Sequence, residues 1–181
     1  MVSEKSLLEL VNCFDEQALI EVYDLYSLEL YRYAVRMLAD QDLAEECVAE
    51  TFSRFLYALK HRNGPRQNVR AYLYRIAHNW ITDYFRKQSS ASVMLVPETI
   101  PETDIDLQDS LIQDLEEQQV LAALQLLTPD QRQVVVLKYI EGWQNKEIAQ
   151  ALDKPVGAIK SLQHRALNTL RRILTREQEV V

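Results

Sequence analysis

The last fifty residues of the chain carry polar side chains whose types and spacing suit hydrogen bonding to DNA. Residues 145–152 (NKEIAQAL) have the pattern of a short amphipathic helix, residues 153–156 (DKPV) that of a tight turn, and Gly157 begins a long final helix. A short helix, a turn and a second helix form a helix-turn-helix, whose second helix can enter the major groove. The polar side of the final helix carries groups that can bond to base edges or phosphates: Lys160, Ser161, His164, Arg165 and Asn168. An ordinary solvated helix face is the alternative interpretation for any one of them.

A second polar set lies near the end of the first ninety residues. In residues 75–87 (RIAHNWITDYFRK), a helical projection of about 100° per residue places polar side chains opposite the apolar Leu73, Ile76 and Trp80. This polar side can hold a single DNA strand by hydrogen bonds and phosphate contacts: Arg75, His78, Asn79 and Arg86. A basic loop precedes the helix and contains Lys60, Arg62, Asn63 and Arg66. The same projection predicts that Trp80 and Tyr84 belong to the core.

A third set of charged residues lies in residues 42–56. This segment combines an apolar helical stripe with an acidic opposite side that contains Glu45, Glu46 and Glu50, and Asp42 and Arg54 lie in the same segment. Such a face could contact a basic partner surface, and a solvated acidic face fits the same residues equally well.

The elements that must position these sets are predicted to be helices. Only three glycines and five prolines occur, and apolar residues recur at steps of three and four through the first ninety residues. Residues 61–65 (HRNGP) break the pattern with a turn, so we expect the N-terminal unit to be a bundle of three or four helices with a loop before its last helix. Near the C-terminus, Thr128 and Pro129 predict a helix start, and Gly142 predicts the end of a helix over residues 131–141.

Charge divides the chain into three parts. The net charge is −7, but residues 91–117 carry eight acids and no base, whereas residues 118–181 carry nine bases against six acids. Residues 89–104, rich in serine, proline and acids, are the best candidate for a linker, and the helical pattern resumes near Ile105. We therefore predict an all-α protein with two small helical domains, residues 1–90 and 118–181, joined by an acidic linker over residues 91–117.

Several classes of protein are disfavoured by what the sequence lacks. It contains no nucleophile motif, no HExxH and no phosphate-binding glycine loop, so we do not expect an enzyme or a cofactor. Cys13 and Cys47 have no CxxC spacing, which argues against a metal site and favours two small apolar helix residues in a reducing cytoplasm. The sequence contains no continuous apolar stretch of 18 residues, so we do not expect it to insert into a membrane.

Both ends of the chain resemble one known family. Residues 128–174 contain QR, an apolar run, EG, EIA, VG, K-S and RA in order, and they closely resemble the −35-binding domain of extracytoplasmic-function (ECF) sigma factors of the sigma-70 family. Residues 42–56 (DLAEECVAETFSRFL) and 68–87 (NVRAYLYRIAHNWITDYFRK) resemble the −10-binding domain of the same family. The resemblance implies a sigma factor that binds core RNA polymerase and directs promoter recognition, −10 melting and transcription initiation.

The resemblance also implies a role for each polar set. The set on the final helix would bind the −35 element, the set around residues 60–86 the −10 element, and the charged set from Asp42 to Arg54 the clamp helices of polymerase. Residues 131–139 would meet the polymerase flap, the acidic linker would enter the polymerase channel, and an anti-sigma factor is a further expected partner. The sequence departs from the common pattern at Ala49, where glutamine is frequent, and at Leu162, where arginine is frequent; we expect Leu162 to pack inward.

Two alternatives remain at this stage. A conventional helix-turn-helix regulator would bind operators without polymerase, but it leaves the N-terminal resemblance unexplained. A sigma mimic that only sequesters an anti-sigma protein need not keep base-reading residues, whereas this chain retains Asn79, Lys160 and Arg165.

Overall fold

The computed structural model describes residues 4–91 and 111–178, with side chains described over 6–88 and 118–172, and the regular structure within those ranges is helical. The helices are α1 (Glu4–Asn12), α2 (Glu16–Leu38), α3 (Gln41–Lys60), α4 (Val69–Ala91), α5 (Leu111–Gln125), α6 (Pro129–Val135), α7 (Asn145–Leu152) and α8 (Val156–Gln178). A π-helical turn, Val136–Ile140, continues α6. The predicted all-α class is confirmed, and residues 92–110, the greater part of the predicted linker, lie outside the described residues.

Helices α1 to α4 form the N-terminal unit. Short polar side chains begin three of them: Asp15 accepts a hydrogen bond from the Ala18 amide at 2.9 Å, Asp40 from the Leu43 amide at 2.9 Å, and Asn68 from the Ala71 amide at 2.7 Å. The apolar stripes that periodicity predicted then meet in a common core, whose largest fully buried members include Leu30, Tyr33, Met37, Phe55, Leu73, Tyr74 and Ile81. Trp80 packs against that core and stacks on Tyr84, with ring centroids 5.9 Å apart.

Helices α5 to α8 form the C-terminal unit, and its local signals behave as the sequence predicts. Thr128 caps α6 in a reciprocal capping box with Gln131, and Pro129 is the first residue of the helix. Gly142 has φ +73°, the left-handed conformation expected after a helix end. Helix α7 covers the predicted residues, and α8 begins one residue before Gly157.

The structure corrects one prediction about the cysteines. Cys47 is a buried residue of α3, and burial raises the pKa of its thiol to about 12. Cys13, in contrast, is exposed in the turn that follows α1, so it is not a packed helix residue. The apolar stripe of α1 ends at Val11, and the chain turns before Cys13 can join it.

The two units pack directly against each other, which the sequence did not predict. Helix α7 lies against α4, α5 and α6 lie against α2, and the buried residues of both units form one continuous apolar cluster. Trp143 of the C-terminal unit is 3% exposed, with its ring centroid 4.7 Å from that of Tyr74 and 4.7 Å from the guanidinium of Arg70.

Two arginines connect the units by bonding to the ends of helices. Arg132, which is 4% exposed, donates to the Met37 carbonyl at the C-terminus of α2 and to the Leu124 carbonyl at 2.9 Å in α5. In the opposite direction, Arg75 of α4 donates to the Gln150 carbonyl in the last turn of α7. Carbonyls in a last helical turn lack an intrahelical donor and carry partial negative charge, so a guanidinium both satisfies and stabilises them.

Replacing Arg132 tests this packing. Burial lowers the pKa of Arg132 to about 10, so the side chain remains charged at neutral pH and depends on its carbonyl partners. Arg132→Ala should lower the free energy of unfolding by about 3 kcal/mol, because each hydrogen bond from a charged group contributes about 1.5–3 kcal/mol. Urea unfolding followed by circular dichroism measures the change, with the exposed Arg32→Ala as control. A loss no larger than that of the control would contradict the structural role of Arg132.

Candidate nucleic-acid interface

The polar side of α8 forms one continuous exposed surface, which we call the recognition face: Lys160, Ser161, His164, Arg165 and Asn168. Its geometry follows from the opposite side of the helix, where Ile159 and Ala166 are fully buried. Leu162 is 7% exposed and packs inward, as the sequence predicted for this departure from the family pattern.

Hydrogen bonds within the helix order part of the recognition face. The Ser161 hydroxyl donates to the Gly157 carbonyl at 3.0 Å, which leaves its oxygen directed outward as an acceptor. Asn168 Nδ2 lies 3.2 Å from His164 Nδ1, so the two side chains form a pair one turn apart. The recognition face therefore presents hydrogen-bond donors and acceptors that can bond to base edges, and they lie next to two cations, Lys160 and Arg165.

An amide pair fixes α8 against α7, and sequence reasoning missed it. Gln163 Nε2 donates to Asn145 Oδ1 at 2.7 Å, and Asn145 Nδ2 lies 3.5 Å from Gln163 Oε1. Asn145 is the first residue of α7, so the pair joins the start of the short helix to the middle of the recognition helix. This contact sets the angle at which the recognition face is presented.

The residues predicted to hold a single DNA strand fall into two groups, because the packing of the two units leaves some of them exposed and partly covers the others. Six of them are exposed in the 60–66 loop and along α4: Lys60, Arg62, Asn63, Arg66, Asn79 and Arg86. A cleft of about 410 Å³ lies beside the loop and is lined by Arg66, Gln67, Tyr72 and Arg75 of the N-terminal unit, with Gln150 of the C-terminal unit on its far side. The Tyr72 hydroxyl donates to the Asn63 carbonyl at 2.8 Å and holds the loop against α4.

The other two members, Arg75 and His78, lie at the contact between the units. Arg75 is half-buried and bonded to the Gln150 carbonyl. Burial lowers the pKa of His78 to about 4, although Asp130 opposes that shift, while Lys154 adds to it. In this arrangement neither side chain is free to contact DNA.

The charged set of α3 is exposed on the opposite side from the core. Asp42, Glu45 and Glu46 are exposed, and Glu50 Oε1 lies 2.6 Å from Arg54 Nε, an ion pair within the helix. The inward side of α3 is held by Phe55 and by Thr51, whose hydroxyl donates to the Cys47 carbonyl at 2.7 Å. The helix thus presents a mainly acidic surface that the C-terminal unit leaves uncovered.

The residues that join the two units were missed by sequence reasoning. Gln133 is fully buried and donates from Nε2 to the Tyr33 hydroxyl at 2.7 Å. Glu141 accepts from Arg36 at 3.0 Å, with the Tyr74 hydroxyl 3.4 Å from its other oxygen. The signal available in the sequence was a pair of polar residues, Arg132 and Gln133, at the start of an otherwise apolar run.

Across the described helices, none is both long and apolar enough to cross a membrane.

Comparison with known families gives two matches in chain order. Residues 22–91 match sigma-70 region 2, and residues 117–170 match sigma-70, region 4. The first match contains α3 and α4 with their polar sets, and the second contains α7 and the part of α8 that carries the recognition face.

Relatives of known identity match over most of the chain. The ECF RNA polymerase sigma factor SigX of Bacillus subtilis is 31% identical over 166 residues, which cover 83% of this chain and 80% of SigX. The ECF RNA polymerase sigma factor BldN of Streptomyces coelicolor is 30% identical over 170 residues, which cover 93% of this chain and 64% of BldN. The chain therefore spans less than two thirds of the length of BldN.

Solved structures show the same fold. The sigma factor RpoE of Bartonella quintana, in complex with the anti-sigma factor NepR, is 25% identical, with a TM-score of 0.63 and coverage of 86% of this chain and 95% of that one. CnrH in complex with the cytosolic domain of CnrY is 22% identical, with a TM-score of 0.71 and coverage of 96% and 97%.

Proposed function

The chain belongs to the ECF RNA polymerase sigma factors of the sigma-70 family, and from this membership we propose how its residues bind polymerase and recognise promoters. It binds core RNA polymerase and directs promoter recognition and transcription initiation. The observation that carries this function is the occurrence of both family matches, region 2 and region 4, in order in one chain whose recognition face is exposed.

Each helical unit binds a different promoter element. Residues 1–90 dock on core polymerase and bind and melt the −10 element, and residues 118–181 bind the −35 element. Residues 91–117 are the acidic connector, of which the stretch from Leu111 is the start of α5. The ranges of the two family matches support this division.

The −35 element is bound by the recognition face of α8. Lys160 and Arg165 can contact guanine edges or phosphates, while Ser161, His164 and Asn168 supply hydrogen bonds of adaptable polarity. Their common exposure on one side of the second helix of a helix-turn-helix supports this role.

The −10 element is held as a single strand by α4 and the loop before it. Asn79 and Arg86 bond to the strand from α4, and the loop residues Lys60, Arg62, Asn63 and Arg66 border a cleft in which a flipped base can bind. Arg75 and His78 belong to this surface once the C-terminal unit moves away from them.

Polymerase is contacted through two surfaces. Asp42, Glu45, Glu46, Glu50 and Arg54 of α3 face the clamp helices. Of the segment expected to meet the flap, residues 132–137 are buried, so the exposed Tyr139 and Ile140 are the accessible contacts in this arrangement.

An anti-sigma factor is a further partner, and the chain acts without catalytic activity of its own. RpoE of Bartonella quintana, whose fold this chain shares, was solved with the anti-sigma factor NepR. The polymerase and the chromosome place the site of action in the cytoplasm.

Reconstitution tests the proposed function. Purified chain added to bacterial core polymerase should start transcription at a defined set of promoters, measured by sequencing of run-off transcripts from genomic DNA. The chain alone should bind duplex DNA weakly, because its net charge of −7 gives little attraction to phosphates. Tight, specific operator binding without association with polymerase would instead identify a conventional regulator, and association with an anti-sigma protein without transcription would identify a mimic.

Arg165→Ala tests sequence recognition by the recognition face. The substitution should cost about 1–3 kcal/mol at the cognate −35 element, with the loss confined to one or two base positions, because a bidentate contact discriminates bases by this amount. Transcription from a library of −35 variants measures the profile. Arg172, exposed two turns later on the same side of α8, is the matched control, and its alanine variant should keep the parental base preferences. An Arg165→Ala profile parallel to that of the parent would remove Arg165 from the base-reading residues.

A further inference from the structure

We propose that α1 positions the 60–66 loop for binding of the −10 strand, and that Asn12 is the residue through which it does so. This inference rests on the proposed function, because that function assigns the loop and its cleft to a flipped base. The match to sigma-70 region 2 begins at residue 22, so α1 (Glu4–Asn12) lies outside the segment that the family match explains.

The side-chain amide of Asn12 joins the last turn of α1 to the loop. Asn12 Nδ2 donates to the Leu8 carbonyl of its own helix at 2.9 Å and to the Pro65 carbonyl of the loop at 2.9 Å. Both hydrogens of the amide are used, so the bond within the helix fixes the direction of the bond to the loop. Helix α1 is itself held in place, because Leu7 and Val11 are buried in the core.

The loop backbone approaches Asn12 so closely that no side chain fits at Gly64. A Cβ added at Gly64 would lie 2.4 Å from Asn12 Oδ1 and 2.6 Å from Leu59 Cδ2, well inside van der Waals contact. Glycine at this position therefore lets the backbone lie directly against the amide. Pro65 follows as a buried residue whose ring fixes φ, so it presents its carbonyl to Asn12 from a restricted backbone.

Contacts with α3 and α4 hold the rest of the loop. The Asn63 carbonyl accepts from the Tyr72 hydroxyl of α4 at 2.8 Å, and the Asn63 amide donates to the Ala58 carbonyl of α3 at 2.8 Å. Arg62 has φ +57°, a left-handed conformation that a non-glycine residue keeps where its surroundings impose it. Three helices therefore fix the loop backbone, while the side chains of Arg62, Asn63 and Arg66 remain exposed.

The position of Asn12 makes it a positioning residue and not a DNA contact. The cleft of about 410 Å³ beside the loop has Gly64, Arg66 and Tyr72 in its wall, and Asn12 lies outside that wall. A base that enters the cleft meets a loop that is already ordered, which removes an entropic cost from binding. Loss of the Asn12 bond would leave the Pro65 carbonyl without this partner and lower the fraction of chains whose loop can bind.

Asn12→Leu tests the proposal on the full-length chain assembled with core polymerase. Leucine is close to asparagine in size, adds no charge and cannot donate a hydrogen bond, and Asn12 is exposed, so the fold should tolerate it. Transcription is measured from a library of −10 variants and a library of −35 variants. We expect a loss of about threefold to tenfold, the effect of one neutral hydrogen bond, at promoters with the preferred base at the −10 position that the cleft receives.

The shape of the promoter profiles separates positioning from a merely structural role. A structural role would lower transcription from every promoter by the same factor, whereas positioning should flatten the preference at one −10 position and leave the −35 preferences unchanged. Gln17→Leu is the matched control, because Gln17 is an exposed neutral residue at the start of α2, and its variant should keep both parental profiles. An Asn12→Leu profile parallel to the parent across all −10 variants would overturn the proposal.

Trypsin cleavage of the free chain tests the same contact without DNA or polymerase. The loop contains two exposed trypsin sites, after Arg62 and after Arg66, and cleavage there follows the fraction of chains in which the loop is released. Asn12→Leu should raise cleavage at these sites about threefold to tenfold. Cleavage after Arg54, inside α3, reports unfolding of the N-terminal unit and should keep the parental rate.

The two experiments together distinguish failure of this inference from failure of the proposed function. Equal cleavage of the loop in the parent and in Asn12→Leu would overturn the role of Asn12, whatever the transcription assay shows. Faster cleavage after Arg54 in step with the loop sites would also overturn it, because the substitution would then unfold the whole unit. A parent that fails to start transcription in reconstitution would instead contradict the proposed function.

Discussion

Two arginines, the buried Arg132 and the half-buried Arg75, are each bonded to the end of a helix in the other unit, and this pair of contacts determines how the chain is arranged. Arg132 reaches from α6 to the last turn of α2, and Arg75 reaches from α4 to the last turn of α7. Both ends carry carbonyls that their own helices leave without donors, so the contact satisfies backbone groups as well as the guanidinium. Trp143, Gln133 and Glu141 then pack into the space between the units.

The contact between the units affects both the stability of the chain and the availability of its side chains for binding DNA. Arg132 stabilises the packed chain and has no exposed surface to offer a partner, whereas Arg75 is shared between α7 and the DNA strand that we propose for α4. The cation that completes the packing in one state is therefore released for binding in the other. The interface combines apolar rings with charged pairs, a composition typical of interfaces between domains of one chain.

Local structure could be predicted from the sequence because its signals are local. The bounds of α7, the cap at Thr128, the left-handed Gly142 and the inward packing of Leu162 all follow from neighbours within one or two helical turns. The docking of the units could not, since an apolar stripe indicates that a face is buried but not which surface covers it. Arg75 and His78 illustrate this limit: projection placed them correctly on the polar side of α4, and the structure shows that α7 and α6 cover the part of that side on which they lie. Cys13 shows a second limit of prediction from the sequence, because α1 ends at Asn12 and Cys13 lies in the turn that follows rather than in a helix.

The distance between the two units during initiation tests most directly whether the chain works by opening. A donor dye on the exposed Cys13 and an acceptor on Arg172→Cys, at an exposed position of α8, report this distance by energy transfer, and the buried Cys47 should resist labelling. We expect one short distance in the free chain and an increase of tens of ångströms, toward the roughly 85 Å spacing of the promoter elements, when core polymerase and promoter DNA are added. The same short distance in the initiating complex would contradict an opening of the two units.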